Sequence, residues 1–365
     1  MRSEKPVRNR SILRVAIVLP LLAASAVACG DDSAGNREVS VGIAMPNKLQ
    51  TRWADDAQNM TNSLESKGYT VDVKYAADDV NLQVDQIQGM VDAGEKVIII
   101  GAVDGYELGE VLKNAARKGV KIIAYDRLLL GSSNVDYYAS FDNYKVGQLQ
   151  AEYIVDKLGL KEGKGPFNLE IFAGDPDDNN AVFFYNGSMA VLKPWIDKGL
   201  LVLRSGNRRI TQVTTWHWDG EVAHETMITR LHRYFRSATL DAVLAPNDGI
   251  ARGVIQALRA DGYGSDDKDM PIITGQDAEV DSIKEIIKGE QSMTVYKDTR
   301  RLAAVAVDMS DAIIAGKTPK VTDNKQYDNG SKVVPAYLLA PVAVDKSNYK
   351  KLLIDSGYIN PSDLK

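Results

Sequence analysis

The stretch IIAYDRLL, residues 122–129, decides how the rest of the chain is read. Small and apolar residues run into Tyr125, an acid and a base follow side by side, and apolar residues resume. An apolar run of this kind reads as a central strand buried in a parallel sheet. Asp126 and Arg127 then stand at its carboxyl end, where open α/β sheets bind their ligands. A carboxylate only accepts hydrogen bonds and a guanidinium only donates them. Together they suit a ligand whose groups do both, such as a sugar hydroxyl. A local ion pair that closes the strand is the other reading of the same two residues.

Outward from this stretch, strand and helix patterns alternate along the chain. Strands are expected at 39–45, 70–75, 97–101, 120–125, 168–173, 200–204, 240–245, 271–275, 292–296 and 332–339. Between them, Trp53, Ala57, Met60 and Leu64 share one helical face, as do Val80, Val84, Ile87 and Val91, and later Leu302, Val305, Met309 and Ile313. Alternation of this kind predicts an α/β fold with parallel sheets and helices on both faces. It comes in two successive blocks, which predicts two similar lobes. The boundary is expected near 139–143, ASFDN. No long Pro- or Gly-rich linker lies there, so more than one tight crossing is expected.

The first 28 residues read as a secretory signal: a basic start of Arg2, Lys5, Arg8, Arg10 and Arg14, then the apolar core VAIVLPLLAASAVA. Cys29 follows at once and is the only cysteine, so no intrachain disulfide is possible. Its position resembles the lipid-modified cysteine of bacterial lipoproteins, with Ala26 where that pattern usually has Leu. A diacylglyceryl group on Cys29 would anchor the protein at the outer face of a membrane. Ordinary cleavage with a spare thiol is the alternative. Residues 30–38, GDDSAGNRE, read as a polar tether. Removal of residues 1–28 takes five basic and one acidic residue from totals of 44 and 49, leaving 39 and 48 and a formal charge of −9. That balance argues against nucleic acid as a partner.

Polar clusters gather after several strands. Arg52 and Trp53 open a helix after the first. Asp177, Asp178, Asn179 and Asn180 follow 168–173. Trp216 and Trp218 alternate in TTWHWD, so on a strand they would share a face. Asn247 and Asp248 follow 240–245; Gln276, Asp277, Ala278 and Glu279 follow 271–275; Lys297 follows 292–296. Each cluster also has a structural reading. Asp178, Asn179, Asn180 and Asn247 suit helix caps, Arg52 suits a solvated first turn, and one Trp suits the core. The functional reading rests on recurrence of acids, amides, cations and aromatic rings at one structural position in both halves. Rings offer apolar faces to sugar C–H groups, and charged groups make hydrogen bonds worth ~1.5–3 kcal/mol each.

The residues also exclude chemistry. The body has no cysteine for thiol catalysis or metal ligation, and its histidines are His217, His224 and His232 only. His224 and His232 fall two turns apart on one helix, too far to share a metal. GxGxxG, the phosphate loop and the GxSxG elbow are all missing. GYGSDDKD, 262–269, lacks calcium-loop spacing. No cofactor and no metal are expected.

The segments VGIAMPNKLQTRW, IIAYDRLL, YYASFDN, GPFNLEIFAGDPDDNNAVFFYNG, VLAPNDG, ITGQDAEV, TVYKDTRRLA and KVVPAYLLAPVAV occur in order from residue 39 to the C-terminus. Together they resemble a bacterial type I periplasmic sugar-binding protein of an ABC importer, nearest the xylose-binding and multiple-monosaccharide-binding branch. The resemblance implies two doubly wound, Rossmann-like lobes joined by three crossings: 39–141 with 298–330, and 142–297 with 331–365. It implies a monosaccharide held between them by Arg52, Trp53, Asp126, Arg127, Asp178, Asn179, Asn180, Trp216 or Trp218, Asn247, Asp277 and Lys297, with Trp53 as one stacking face. Lys48, Phe184 and Glu279 are possible additions. Phe184 stands where ribose- and galactose-binding relatives often place an arginine. The expected ligand is an aldopyranose such as xylose, glucose, galactose or arabinose, and the expected partners are ABC permease subunits. Presentation of bound sugar to a membrane sensor or chemoreceptor is the alternative role. A sugar-processing enzyme using Asp126 and Asp277 as acid and base is a third reading. A sugar-responsive transcription regulator needs a DNA-binding head, for which the export signal and short tether leave no room.

Overall fold

Val97–Ile100 and Ile122–Tyr125 are fully buried, as strands apolar on both faces must be. Helices supply the cover. The computed structural model describes residues 39–48 and 51–365; the expected signal, Cys29 and the tether lie outside the described residues. The first half runs β1 (Ser40–Met45), α1 (Thr51–Ser66), β2 (Thr70–Tyr75), α2 (Val80–Ala93), β3 (Val97–Ile100), α3 (Gly109–Arg117), β4 (Lys121–Tyr125) and β5 (Tyr137–Phe141). The second runs α4 (Asn143–Leu158), β6 (Phe167–Ile171), α5 (Asn179–Asp197), β7 (Leu201–Val202), α6 (Gly220–Tyr234), β8 (Ala242–Leu244), α7 (Asp248–Ala260), β9 (Ile272–Ile273), α8 (Val280–Lys288) and β10 (Met293–Tyr296). After these come α9 (Thr299–Ile314), β11 (Ala336–Leu339) and β12 (Val342–Asp345).

Three sheets result. The first is parallel, in the order β11-β5-β4-β3-β1-β2. The second is parallel, β7-β6-β8-β9. The third, β10-β12, is antiparallel, against the expectation of parallel pairing throughout. Side chains alternate across β3 and β4 as the pleat requires. Ile98, Ile100, Ile122 and Ala124 meet α2 and α3, while Val97, Ile99, Ile123 and Tyr125 meet α1 and α9. In the other half, α4 and α5 approach closely at two glycines. A Cβ on Gly147 would lie 1.9 Å from the Phe184 carbonyl oxygen, and one on Gly187 would lie 2.0 Å from that of Tyr144.

The chain crosses between the two lobes three times. It leaves the first sheet between β5 and α4, returns at Lys297–Asp298 between β10 and α9, and leaves again at Ala340–Pro341 between β11 and β12. The expectation that 331–339 joins the second lobe is corrected here. β11 pairs with β5 from Ala336↔Tyr138 to Leu339↔Phe141, covering an edge of the first sheet that would otherwise stay unpaired. Trp216 and Trp218 also differ from expectation. They lie in a 3₁₀ turn, not a strand, with His217 and Trp218 at φ 56° and 57°, so their rings share no face.

Candidate functional site

Asp126 follows β4 in the left-handed region, at φ 62°, a conformation Asp tolerates better than most residues. The turn is held by its own backbone. The Asp126 N–H donates to the Ala139 carbonyl (2.9 Å). Its carbonyl accepts from the Tyr138 hydroxyl (2.7 Å), the Ser140 hydroxyl (3.1 Å) and the Asn180 amide (3.1 Å). The carboxylate accepts from Arg52 Nη2 at 2.8 Å. Burial by itself would raise the Asp126 pKa. The Arg52, Lys297 and Arg127 cations outweigh it and hold the carboxyl below its ordinary range.

Arg52 stands in the first turn of α1. Its second partner is Asp56 at 3.4 Å, one helical turn on and fully buried. Burial pushes the Asp56 carboxyl up to about 6 against the pull of Arg52. Arg127 donates to the Ala102 carbonyl (2.9 Å) and reaches the second lobe, with Nε 3.3 Å from Asp178 Oδ2. Asp178 also caps α5 by accepting from the Asn180 N–H (2.9 Å). The cap and the functional reading therefore describe the same side chain. Asn247 combines the roles in the same way, accepting from the Ile250 N–H at 3.0 Å while facing the cavity. Lys297 pairs with Asp277 at 3.0 Å, and Asp277 and Ala278 turn sharply after β9 with φ 97° and 52°.

These groups line one cavity of about 840 Å³ between the lobes, within the ~300–1,000 Å³ usual for small-molecule sites. Arg52, Trp53, Asp126 and Arg127 face it from the first lobe. Asp178, Asn180, Trp218, Asn247, Asp277 and Lys297 face it from the second lobe and the crossing. Phe184 and Glu279 line it too. Two expected residues do not. Asn179 begins α5 but is not part of the lining, and Trp216 is 53 % exposed to solvent. Lys48 is likewise elsewhere, over the Tyr75 ring at 4.5 Å.

Trp53 lines the cavity but is only 2 % exposed, because Arg52 lies over its ring at 4.5 Å and Arg127 at 5.5 Å. Its ring is a platform for these two cations at the cavity wall. Trp218 is another aromatic ring of the lining, with Phe184 and Tyr358. It meets Phe184 edge-on at 6.1 Å and lies on Gly174, where a Cβ would fall 1.9 Å from the indole. The sequence reading missed Asp56 and Tyr358, and it placed Gln276 in a polar cluster without naming it a contact; Gln276 lines the cavity. The i, i+4 spacing from Arg52 was a signal for Asp56. Tyr358 had none.

The arrangement offers fixed donors and acceptors from two lobes around a partly apolar space. Residues 41–318 match the periplasmic binding protein domain. The chain belongs to this family. The multiple sugar-binding periplasmic receptor ChvE of Rhizobium radiobacter is 54 % identical over 89 % of the chain and 92 % of that protein. The D-xylose-binding periplasmic protein of Escherichia coli is 36 % identical over 90 % and 93 %. The crystal structure of an ABC transporter solute-binding protein from Clostridium phytofermentans, with bound β-D-glucose, superposes with a TM-score of 0.85. That protein is 49 % identical, over 89 % of this chain and all of its own. As a periplasmic binding protein, the chain is extracytoplasmic and is not an enzyme. Among the described residues, no helix is long and apolar enough to cross a membrane.

Proposed function

We propose that this periplasmic binding protein captures a monosaccharide in the interlobe cavity, closes over it, and delivers it to an ABC importer. The ligand class is an aldopyranose such as xylose, glucose, galactose or arabinose. The observation that carries the reading is the set of ion pairs and amides converging from both lobes on one cavity: Arg52–Asp126, Arg127–Asp178 and Lys297–Asp277, with Asn180 and Asn247. Each pair holds a donor and an acceptor in fixed geometry, which is what vicinal hydroxyls need. Trp218 and Phe184 supply apolar surface for the C–H faces. Sugar that touches both lobes favours the closed form, because only that form makes every contact. Domain closure in periplasmic binding proteins is a standard case of hinge motion. The lobes take the boundaries 39–141 with 298–339, and 142–297 with 342–365.

Residues 1–38 fit export followed by anchoring through Cys29 at the outer face of the cytoplasmic membrane. Mass spectrometry of the mature N-terminus tests this: an acylated Cys29 is expected, and an unmodified thiol removes the anchor. Presentation of bound sugar to a membrane sensor is the second reading, favoured by a 54 %-identical relative that is called a receptor. Deletion of the gene separates the two roles, through loss of uptake or loss of sugar-dependent induction.

A thermal-shift screen against aldoses, ketoses, disaccharides and amino acids tests the ligand class. A sugar at a hundred times its Kd should stabilise the fold by ~2.7 kcal/mol, a rise of several degrees. A rise with one or two aldopyranoses is expected. No rise with any sugar would leave the fold and remove the ligand class.

A further inference from the structure

Tyr358 lies in the C-terminal segment and lines the cavity beside Ile359. Its backbone is fixed. A helical turn over Lys350–Ile354 is capped at Asp355 and followed by Gly357 at φ 69°. The N–H groups of Tyr358 and Ile359 both donate to the Leu353 carbonyl, at 3.0 and 2.9 Å. Its ring is fixed as well. It packs edge-on against Tyr296, with centroids 4.6 Å apart at 64°, and the Arg300 guanidinium lies over it at 5.1 Å. Tyr296 ends β10 and Arg300 opens α9. The ring therefore touches both sides of the Lys297–Asp298 crossing.

The hydroxyl is different. Among the described residues it has no hydrogen-bond partner, although a phenol held in a protein usually finds one. It feels the charges of Arg52 in the first lobe and Asp277 in the second. Burial, with the Asp277 carboxylate, pushes its pKa up against the pull of Arg52, so the group stays a neutral O–H. A rigid ring that aims a free donor and acceptor into a cavity has its missing partner in whatever fills that cavity.

We propose that Tyr358 is a further ligand contact, whose hydroxyl reads one sugar hydroxyl from the crossing end of the cleft and so helps set which sugar is preferred. The assignment rests on the monosaccharide reading of the cavity. Tyr358→Phe removes the hydroxyl and keeps the ring against Tyr296 and Arg300. Dissociation constants of wild type and variant are measured by titration calorimetry with D-glucose, D-xylose and the monodeoxy derivatives of each. The variant should bind the preferred sugar about three- to tenfold more weakly, the worth of one neutral hydrogen bond. One monodeoxy derivative should bind wild type and variant equally, because it lacks the hydroxyl that Tyr358 reads. Equal constants for every sugar would overturn the contact. A loss of the same size for every derivative would overturn it too, and would reduce Tyr358 to a brace for the crossing. Wild type that binds none of these sugars would instead remove the monosaccharide reading, and this assignment with it.

Discussion

Asp126 joins two demands that only a few side chains meet together. Its backbone sits at φ 62°, and its carboxylate orients Arg52 across the floor of the cavity. Asp126→Asn keeps a residue that tolerates the left-handed turn and removes only the charge, whereas Asp126→Ala adds roughly 1–2 kcal/mol of backbone cost. Loss of one partner from a buried, hydrogen-bonded charge pair typically costs ~2–5 kcal/mol in binding. Asp126→Asn should therefore weaken sugar binding at least thirtyfold, by about that range, with an unchanged circular dichroism spectrum. Asp56 makes the opposite prediction for pH. Its pKa rises from 3.8 to about 6 on folding, so between these values the native state binds more protons than the unfolded state. Stability then falls as pH rises through that window. Urea titrations of wild type and Asp56→Asn at several pH values should show the balance shifting toward the variant by up to ~3 kcal/mol between pH 4 and 6, with no further shift above pH 7. A difference that does not change with pH would show that Asp56 is not the titrating group. The sequence displayed Asp126 because it interrupts an apolar run. It hid the role of Trp53, since nothing local says that two guanidinium groups will cover the ring.

Helix pairs of the second lobe depend on small residues at single points. At Gly187 a Cβ would meet the Tyr144 carbonyl oxygen, which belongs to a helix backbone and cannot swing aside. Gly187→Ala should force α4 and α5 apart and cost about 1–3 kcal/mol in urea unfolding. Gly174 is the contrasting case. Its added Cβ would meet the Trp218 ring, which can move out over the cavity, so Gly174→Ala should weaken sugar binding about tenfold while leaving most of the stability. Equal losses of stability in the two variants would mean that Trp218 is a core residue and not a wall of the site. The elements themselves were mostly legible, because Val97–Ile100 and Ile122–Tyr125 are apolar on both faces and the amphipathic helices cover them. β5 and β12 were not. Tyr137–Phe141 mixes aromatic, small and hydroxyl residues next to the crossing and reads as a boundary, and Val342–Asp345 is four residues long after a proline. β11 was found but assigned to the wrong lobe, since pairing partners are set by the edge left open by β5 and not by sequence order.

At the scale of the molecule, the lobes already touch on one side of the cavity. Arg127 meets Asp178 at 3.3 Å, and the Asn180 amide donates to the Asp126 carbonyl at 3.1 Å. Asn143, at the first crossing, donates to the same Asn180 side chain at 2.8 Å, which ties that crossing to these contacts. The sequence implied the cleft through polar clusters that recur after strands in both halves. It could not supply Tyr358, which reaches the cavity only because the C-terminal segment folds back over a crossing. The central claim is that a monosaccharide bridges the two lobes through these ion pairs. The measurement that tests it most directly is titration calorimetry of wild type and Asp126→Asn with D-glucose, D-xylose, D-galactose and L-arabinose, with maltose as a control. The account predicts saturable one-to-one binding of at least one aldopyranose to wild type, near or tighter than the micromolar range of about −8 kcal/mol. It also predicts no heat with maltose and a large loss in the variant. Aldopyranose binding of equal strength in wild type and Asp126→Asn, or no binding of any of the four sugars, would contradict it.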